Sequence, residues 1–318
     1  MRIPFRFRLL IFSVVLLLLV QGVNYITVAS STKKRVLETA TNELVVAESV
    51  FDRFIQYRAN LAATTASVSL EDFSLKKVLA SSHSETKASV VDNLHYRIGT
   101  DWAMFMDIGG VVEVVSSDPP LTVGDEFPFP DMIENAEIAD EGSTSGVGAI
   151  NGSLHFMVLI AIDSPGTLGY FVAGYELGQA FLSDTVSQLT IGVQASLLQF
   201  PRKGIADAEN LPESENLGVT VSQLDDTAVV DLWRQLDGIA ASPDAVMALN
   251  LANEPMALAV LPLVPADTKQ PVNIIFNYSL EKALEKSRPL FLSLIQCGLR
   301  RWRSVVRRFP QARAAYRA

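Results

Sequence analysis

Three histidines, one cysteine and a short glycine-spaced hydroxyl run are the residues of this 318-residue chain whose types could do chemistry. His83 and His95 fall in a helical pattern and His155 in a strand-like run. No pair has the i,i+4 spacing that puts two imidazoles on one helix face, and none sits in a carboxylate ligand pattern, so no metal site is expected. Gly142-Ser143-Thr144-Ser145-Gly146 has the outline of a nucleophile elbow, but its centre is threonine and no strand leads into it. It reads as a flexible loop. Gly146-Val147-Gly148 lacks the third glycine and the helix that dinucleotide binding needs. No Gly-Lys-Ser/Thr stretch for phosphate exists, and the only cysteine, Cys297, rules out a disulfide framework in the body of the chain. Asp225-Asp226 reads as helix N-cap chemistry, and Met104, Phe105 and Met106 as core. These residues point away from an enzyme, and no cofactor is expected.

Charge narrows the choice further. Residues 1–35 hold six Lys/Arg and no acid, and residues 288–318 hold eight Arg and no acid. All 35 acids lie between, against 12 basic residues, so the middle of the chain carries −23. A body this acidic repels phosphate backbones, and nucleic acid is not an expected partner.

The chemistry-poor body must be held by something, and the N-terminus supplies it. Leu9 to Val20 is apolar apart from Ser13, and with Gln21 to Ala29 the stretch reaches 21 residues, enough for about 30 Å of hydrocarbon. Arg2, Arg6 and Arg8 precede it, which favours a cytoplasmic N-terminus and an exported body. Val28-Ala29-Ser30 also suits a signal-peptide cleavage site, so anchor and cleaved signal both stand at this point. Leu37, Leu44 and Phe51, with Ala40, Ala47, Phe54, Leu61 and Val68 offset by three, predict a heptad seam on a helix leaving the membrane. Arg58 and Thr65 interrupt one register, which favours packing against the chain's own sheets.

Beyond it, Asp72–Arg97 reads as further helix. Trp102–Ile108 and Val111–Val115 flank Gly109-Gly110, which predicts a tight hairpin with both glycines at positive φ. A Pro-rich loop (Pro119, Pro120, Pro128, Pro130) leads to a short acidic helix at Asp131–Ala139. Gly146–Asn151, Leu154–Ile162 and Tyr170–Tyr175 read as strands, the last two joined by a Ser164-Pro165-Gly166-Thr167 type II turn. Gln179–Leu189 reads as helix, ending at Gly192. A weaker copy follows: strand Val193–Phe200, a polar loop over 201–218, helix Leu224–Leu236, and strands Met256–Val264 and Val272–Tyr278. Short connections demand antiparallel sheets, so the fold class is α+β, two modules each of a small sheet with helices on it.

This order, carried by Trp102–Ser117 and Leu154–Leu189, resembles the double Cache family of PAS-like extracytoplasmic sensors that precede bacterial two-component kinases and nucleotide cyclases. The resemblance implies an N-terminal membrane helix, a long helix and two PAS-like modules. It implies a signal-transduction sensor in the bacterial inner membrane, its sensor domain periplasmic, a small-molecule ligand in one module, and a homodimer through the N-terminal helix. The arginine-tryptophan-tyrosine-aspartate arrangement of the amino-acid-binding members is not found, so no ligand class carries over. The corresponding divisions are a cytoplasmic tail at 1–8, a membrane helix at 9–29, a long helix and helical segment at 30–98, a membrane-distal module at 99–191 and a membrane-proximal module at 192–280. An incomplete second membrane helix follows at 281–299, then a basic tail at 300–318 that reads as frameshifted or truncated, or as a basic end lying on lipid. An exported solute-binding or envelope protein with a cleaved signal is the alternative. Candidate ligand residues are Tyr96, Arg97, Trp102, His155 and Tyr170, with Arg97 as a clamp for a carboxylate and Trp102 or Tyr170 as an aromatic wall. They would surround a concave site on an open face of the first sheet, with Pro119–Pro130 as a lid.

Overall fold

The computed structural model describes residues 5–81, 83–116, 119–163, 166–189, 192–199, 220–236, 246–268, 270–286 and 296. Ser164-Pro165 of the expected turn, the 201–218 loop, Cys297 and all but Gln296 of the stretch from 287 to 318 lie outside these residues.

One helix, α1 (Phe5–Leu70), runs from the apolar stretch into the body without a break, 66 residues long or roughly 100 Å. Ala40, Leu44, Ala47, Phe51, Ala62, Ala66 and Leu70 are its buried line. That spacing follows 3.6 residues per turn, which a helix lying along sheets keeps. The expected heptad seam instead leaves Leu61 and Val68 exposed, because a strict seven-residue repeat drifts off the buried face, and Leu37 is exposed ahead of the first buried residue, Ala40. Arg58 does not interrupt the packing: its guanidinium lies 4.8 Å from the ring centre of Phe54 and 4.6 Å from that of Tyr175. Among the described residues no helix is long and apolar enough to cross a membrane.

The expected helix over 72–97 is two helices, α2 (Phe73–Leu79) and α3 (Ser84–Ile98). Asp72 starts the first by accepting from the Ser74 backbone N–H at 2.8 Å and hydroxyl at 2.7 Å, which holds its carboxyl below the usual range. Gly99 at φ 72° stops the second, a left-handed cap that costs a glycine little.

The first module has β1 (Trp102–Met106), β2 (Val112–Val115), α4 (Pro130–Ile138), β3 (Ser143–Ile150), β4 (Ser153–Asp163) and β5 (Thr167–Glu176), followed by α5 (Gln179–Ser187). Its sheet order is β2-β1-β5-β4-β3, antiparallel throughout. The second module has β6 (Val193–Gln199), β7 (Thr220–Ser222), α6 (Asp226–Leu236), β8 (Met247–Leu251), β9 (Glu254–Leu263) and β10 (Val272–Ser279). Its order, β7-β6-β10-β9-β8, is the same path traced again. The chain then turns into α7 (Leu280–Lys286).

The structure departs from two of the expected turns and loops. The first hairpin is not a two-residue turn: Met106 pairs with Val112, and of the two glycines only Gly110 has positive φ, 79°. The Asp107 carboxylate organises this loop by accepting from the N–H groups of Gly109 at 2.8 Å and Val111 at 2.9 Å. Residues 143–146, expected as flexible loop, are the start of β3 and pair with Val158–Ile160 and Met157 of β4. The turn that closes this hairpin is Asn151-Gly152, at φ 50° and 84°. Both central residues are left-handed, as a two-residue hairpin requires. In the second module β7 and β8 were not foreseen. Ala252-Asn253, at φ 47° and 66°, closes β8 onto β9 with little in its composition to announce it.

Each first-module strand buries both faces, so the sheet has two cores rather than one and an open side. Ala103, Phe105, Phe156, Val158, Phe171 and Ala173 face α1 and α3. Met104, Met106, Met157, Leu159, Tyr170 and Val172 face α4 and the 119–130 segment, which contributes Leu121, Phe127 and Phe129. A bulge between Phe105 and Met106 of the β1–β2 pairing leaves Glu113 unpaired in the ladder; its carboxylate meets the largely buried Lys87 of α3.

The two modules share this second core. The loop after β9 lays Val264–Ala266 along β3: the Val147 N–H donates to the Val264 carbonyl and Ala266 N–H donates to that of Val147, both at 2.8 Å. Thr268 adds its hydroxyl, 2.8 Å from the Asp131 carboxylate of α4. Glycine makes this approach possible. A Cβ on Gly146 would sit 3.0 Å from the Ala266 backbone, and one on Gly148 would sit 2.5 Å from the Phe129 ring.

Candidate functional site

Strand alternation decides which chemistry-bearing residues meet. Even-numbered residues of β1 and β5 and odd-numbered residues of β4 point to the α4 side, and this brings Trp102, His155 and Tyr170 onto one face. Tyr96 and Arg97 are not among them. α3 turns Val91, Leu94 and Ile98 toward the opposite core, so Tyr96 and Arg97 stand exposed to solvent on the other side of the sheet.

Trp102 is almost fully buried and has a fitted recess. Its cross-strand partner on β5 is Gly174, and a Cβ there would lie 2.0 Å from the indole Cζ2. The indole N–H donates to His155 Nδ1 at 3.2 Å, with the two rings edge to face at 5.6 Å. Because Nδ1 accepts, the proton of neutral His155 sits on Nε2, and Nε2 is buried with no hydrogen-bond partner. Burial pulls the His155 pKa below its ordinary 6.5, against the opposing pull of the Glu176 and Asp101 carboxylates. Glu176 is the direct cross-strand partner of His155, and Asp101 is fixed beside it by accepting from the Glu176 N–H at 2.8 Å.

At the other end of the face the Tyr170 hydroxyl donates to the Glu137 carboxylate of α4. Burial, with Glu137 and Asp163 nearby, pushes its pKa up to about 12. This bond ties α4 to the sheet, and the Thr268–Asp131 bond ties the same helix to the second module. Beside the helix a cleft of about 450 Å³ opens between Gly109, Gly110, Glu126, Phe127, Pro128, Pro130 and Ile133. Phe127 and Ile133 belong to both the cleft wall and the core beneath it. The face combines an aromatic floor, a polar end at His155 and a helix that packs Met132 and Ala136 on it, with an opening at the edge of that helix. Sequence reasoning missed Glu137, Asp101, Glu176 and Gly174. Only Gly174 left a signal, as a glycine inside a strand pattern, where close approach of a neighbour is a common cause.

No protein-family model and no curated protein sequence matches the chain. Solved structures do. A domain of a protein classed with the sensory box/GGDEF family, from Vibrio parahaemolyticus, superposes with a TM-score of 0.50 at 13% identity, over 79% of this chain and 98% of its own. The extracellular domain of vpHK1S-Z8, classed as a histidine kinase, gives 0.49 at 16% identity, over 78% and 98%. The ligand-binding domain of the Pseudomonas fluorescens chemoreceptor CtaA, solved with L-isoleucine, gives 0.47 at 12% identity, over 81% and 98%. These neighbours are sensory domains rather than catalytic ones. The chain has the fold of a Cache-type sensory domain, two PAS-like modules strung along one long helix.

Proposed function

We propose that this chain is the extracytoplasmic ligand-sensing part of a membrane signal-transduction receptor. The observation that carries it is the repeated five-stranded sheet on one helix that continues unbroken into the apolar N-terminal stretch. Phe12, Leu16, Leu18, Leu19, Val20, Val23 and Ile26 are exposed on that helix, a surface that suits lipid and is costly in water. Residues 9–29 are then an uncleaved anchor in a bacterial inner membrane, and the body lies outside. The first module takes a small molecule on the face that holds Trp102, His155 and Tyr170, reached through the cleft beside α4. The ligand displaces α4, and the 264–268 loop carries the change to β10 and α7.

A homodimer through α1 is part of the same proposal. Val46, Val50, Tyr57, Leu61 and Val68 are exposed, and 46, 57 and 68, like 50 and 61, repeat every eleven residues. Eleven residues make three helical turns, so the line stays straight on a face about 120° from the buried one. A second copy of the same helix is the partner with a matching stripe.

The test is thermal unfolding of the full chain in detergent micelles against a panel of amino acids, amines and small organic acids. A ligand at 100 times its Kd adds about 2.7 kcal/mol to the form that binds it. Pro128→Trp, which fills the cleft from its exposed rim, should abolish the shift and leave the unliganded melting point in place. A shift that survives this variant would move the site elsewhere. Recovery of the protein only as a soluble product starting near Ser31 would establish the cleaved-signal alternative.

A further inference from the structure

The His155–Trp102 pair has a property that ligand binding does not use. In its neutral form His155 is the acceptor for a buried indole N–H, and its own Nε2–H has no partner. Two carboxylates stand at the same end of the sheet. Glu176 projects from β5 directly across from His155, and Asp101 is held at its backbone from the segment before β1. Among the described residues, the other elements packed here bring no charge: β3 presents Gly148 opposite His155, the 119–130 segment presents Phe129, and the loop after β9 presents Ala266.

We propose that His155 and Trp102 form an acid-operated latch, so that the first module reads proton concentration as well as any small ligand. A proton from solvent adds to Nδ1. The ring then has two N–H donors and no acceptor, and the indole N–H loses its partner. The imidazolium turns its donors to Glu176 and Asp101, which are already in place. Trp102 shares its core with Met132 and Ala136 of α4 and with Ala266 of the second module, so loosening the indole loosens the joint between modules. Burial disfavours the charged ring, so the folded protein binds this proton less readily than the unfolded chain. Stability from this group is therefore present above the unfolded value of 6.5 and is lost as pH falls through the lower folded value.

The experiment is tryptophan fluorescence of the full chain in detergent micelles between pH 8 and 5, with Trp233 and Trp302 replaced by Phe so that Trp102 is the reporter. Wild-type His155 should give a single emission transition with its midpoint below 6.5. His155→Gln keeps an acceptor for the indole and cannot titrate, so its transition over this range should vanish while His83 and His95 remain. If that variant fails to fold, Glu176→Gln decides: it removes a charge favouring the imidazolium, so the midpoint should move lower. A flat wild-type profile, an unchanged transition in His155→Gln, or an unmoved midpoint in Glu176→Gln would each overturn the latch. Because no small ligand is present, the outcome is independent of the binding proposal above.

Discussion

Gly174 should be a position where one methyl group costs more than its size suggests. An added Cβ would lie 2.0 Å from Trp102 Cζ2, 2.3 Å from Cε2 and 2.6 Å from Cη2. Real carbon contacts need well over 3 Å, and the indole is buried and bonded through its N–H, so it cannot swing aside freely. Overpacking of this kind costs about 1–3 kcal/mol. Were the roughly 250-residue body to unfold as a unit, each kcal/mol would lower the melting point by about 2–4 °C, so Gly174→Ala should lose about 2–12 °C. The same change in a Trp102→Leu background removes the offending ring atoms first and should cost far less. The difference between backgrounds is a coupling of about 0.5–3 kcal/mol, read by circular dichroism as a double-mutant cycle. Equal losses in both backgrounds would refute the recess, and the glycine would then need another explanation.

Phe51 meets Phe276 of β10 at 5.8 Å and Phe181 of α5 at 6.2 Å, joining α1 to both modules. Phe51→Ala should cost about 3–5 kcal/mol and broaden or split the unfolding transition, visible by calorimetry. Tyr170, held protonated until about pH 12, should ionise later than free tyrosine in an absorbance titration. Its contribution to stability is full below the unfolded value of 10.0 and falls as pH rises toward 12, and Tyr170→Phe should flatten that fall. Leu61→Glu places a charge in the exposed α1 stripe, so a wild-type dimer in sedimentation should become monomer, its melting point falling only by what association supplied.

Much of the fold was legible because short continuous apolar runs rich in β-formers and bounded by turn residues mark strands buried on both faces, and short connections force antiparallel pairing. Trp102–Met106, Leu154–Ile162 and Tyr170–Tyr175 announced themselves in this way. What stayed hidden had weak local chemistry. Met247–Leu251 is a short edge strand, half exposed, closed by a turn whose first residue is alanine at φ 47°. Residues 143–146 are small and polar and join a sheet only because β4 offers the ladder. The placement of the candidate residues was half legible. Trp102, His155 and Tyr170 meet on one face, whereas Arg97 was placed by nearness in sequence. The period Val91, Leu94, Ile98 already fixed the buried side of α3, and Arg97 lies off it. Glu137 and Asp131 could not be foreseen, since their partners Tyr170 and Thr268 are 33 and 137 residues away.

The loop that lays Ala266 against Gly146 and Gly148 also sets an order of events during synthesis. Residues 102–176 emerge from the ribosome with every strand of the first sheet in hand. Yet β3 then has an open edge at Val147 and a gap in its core, because both are closed by residues about 120 positions later. Counted from residue 176, Ala266 lies 90 residues on, so at about 5–20 residues per second the first module stays unfinished for roughly 5–18 s. An exposed strand edge is the usual template for pairing with another chain. Here that edge opens with Ser143, Thr144, Ser145 and Gly146, small and polar residues that offer a passing chain little to bury. The plainness that made this segment look like a loop is what lets it wait.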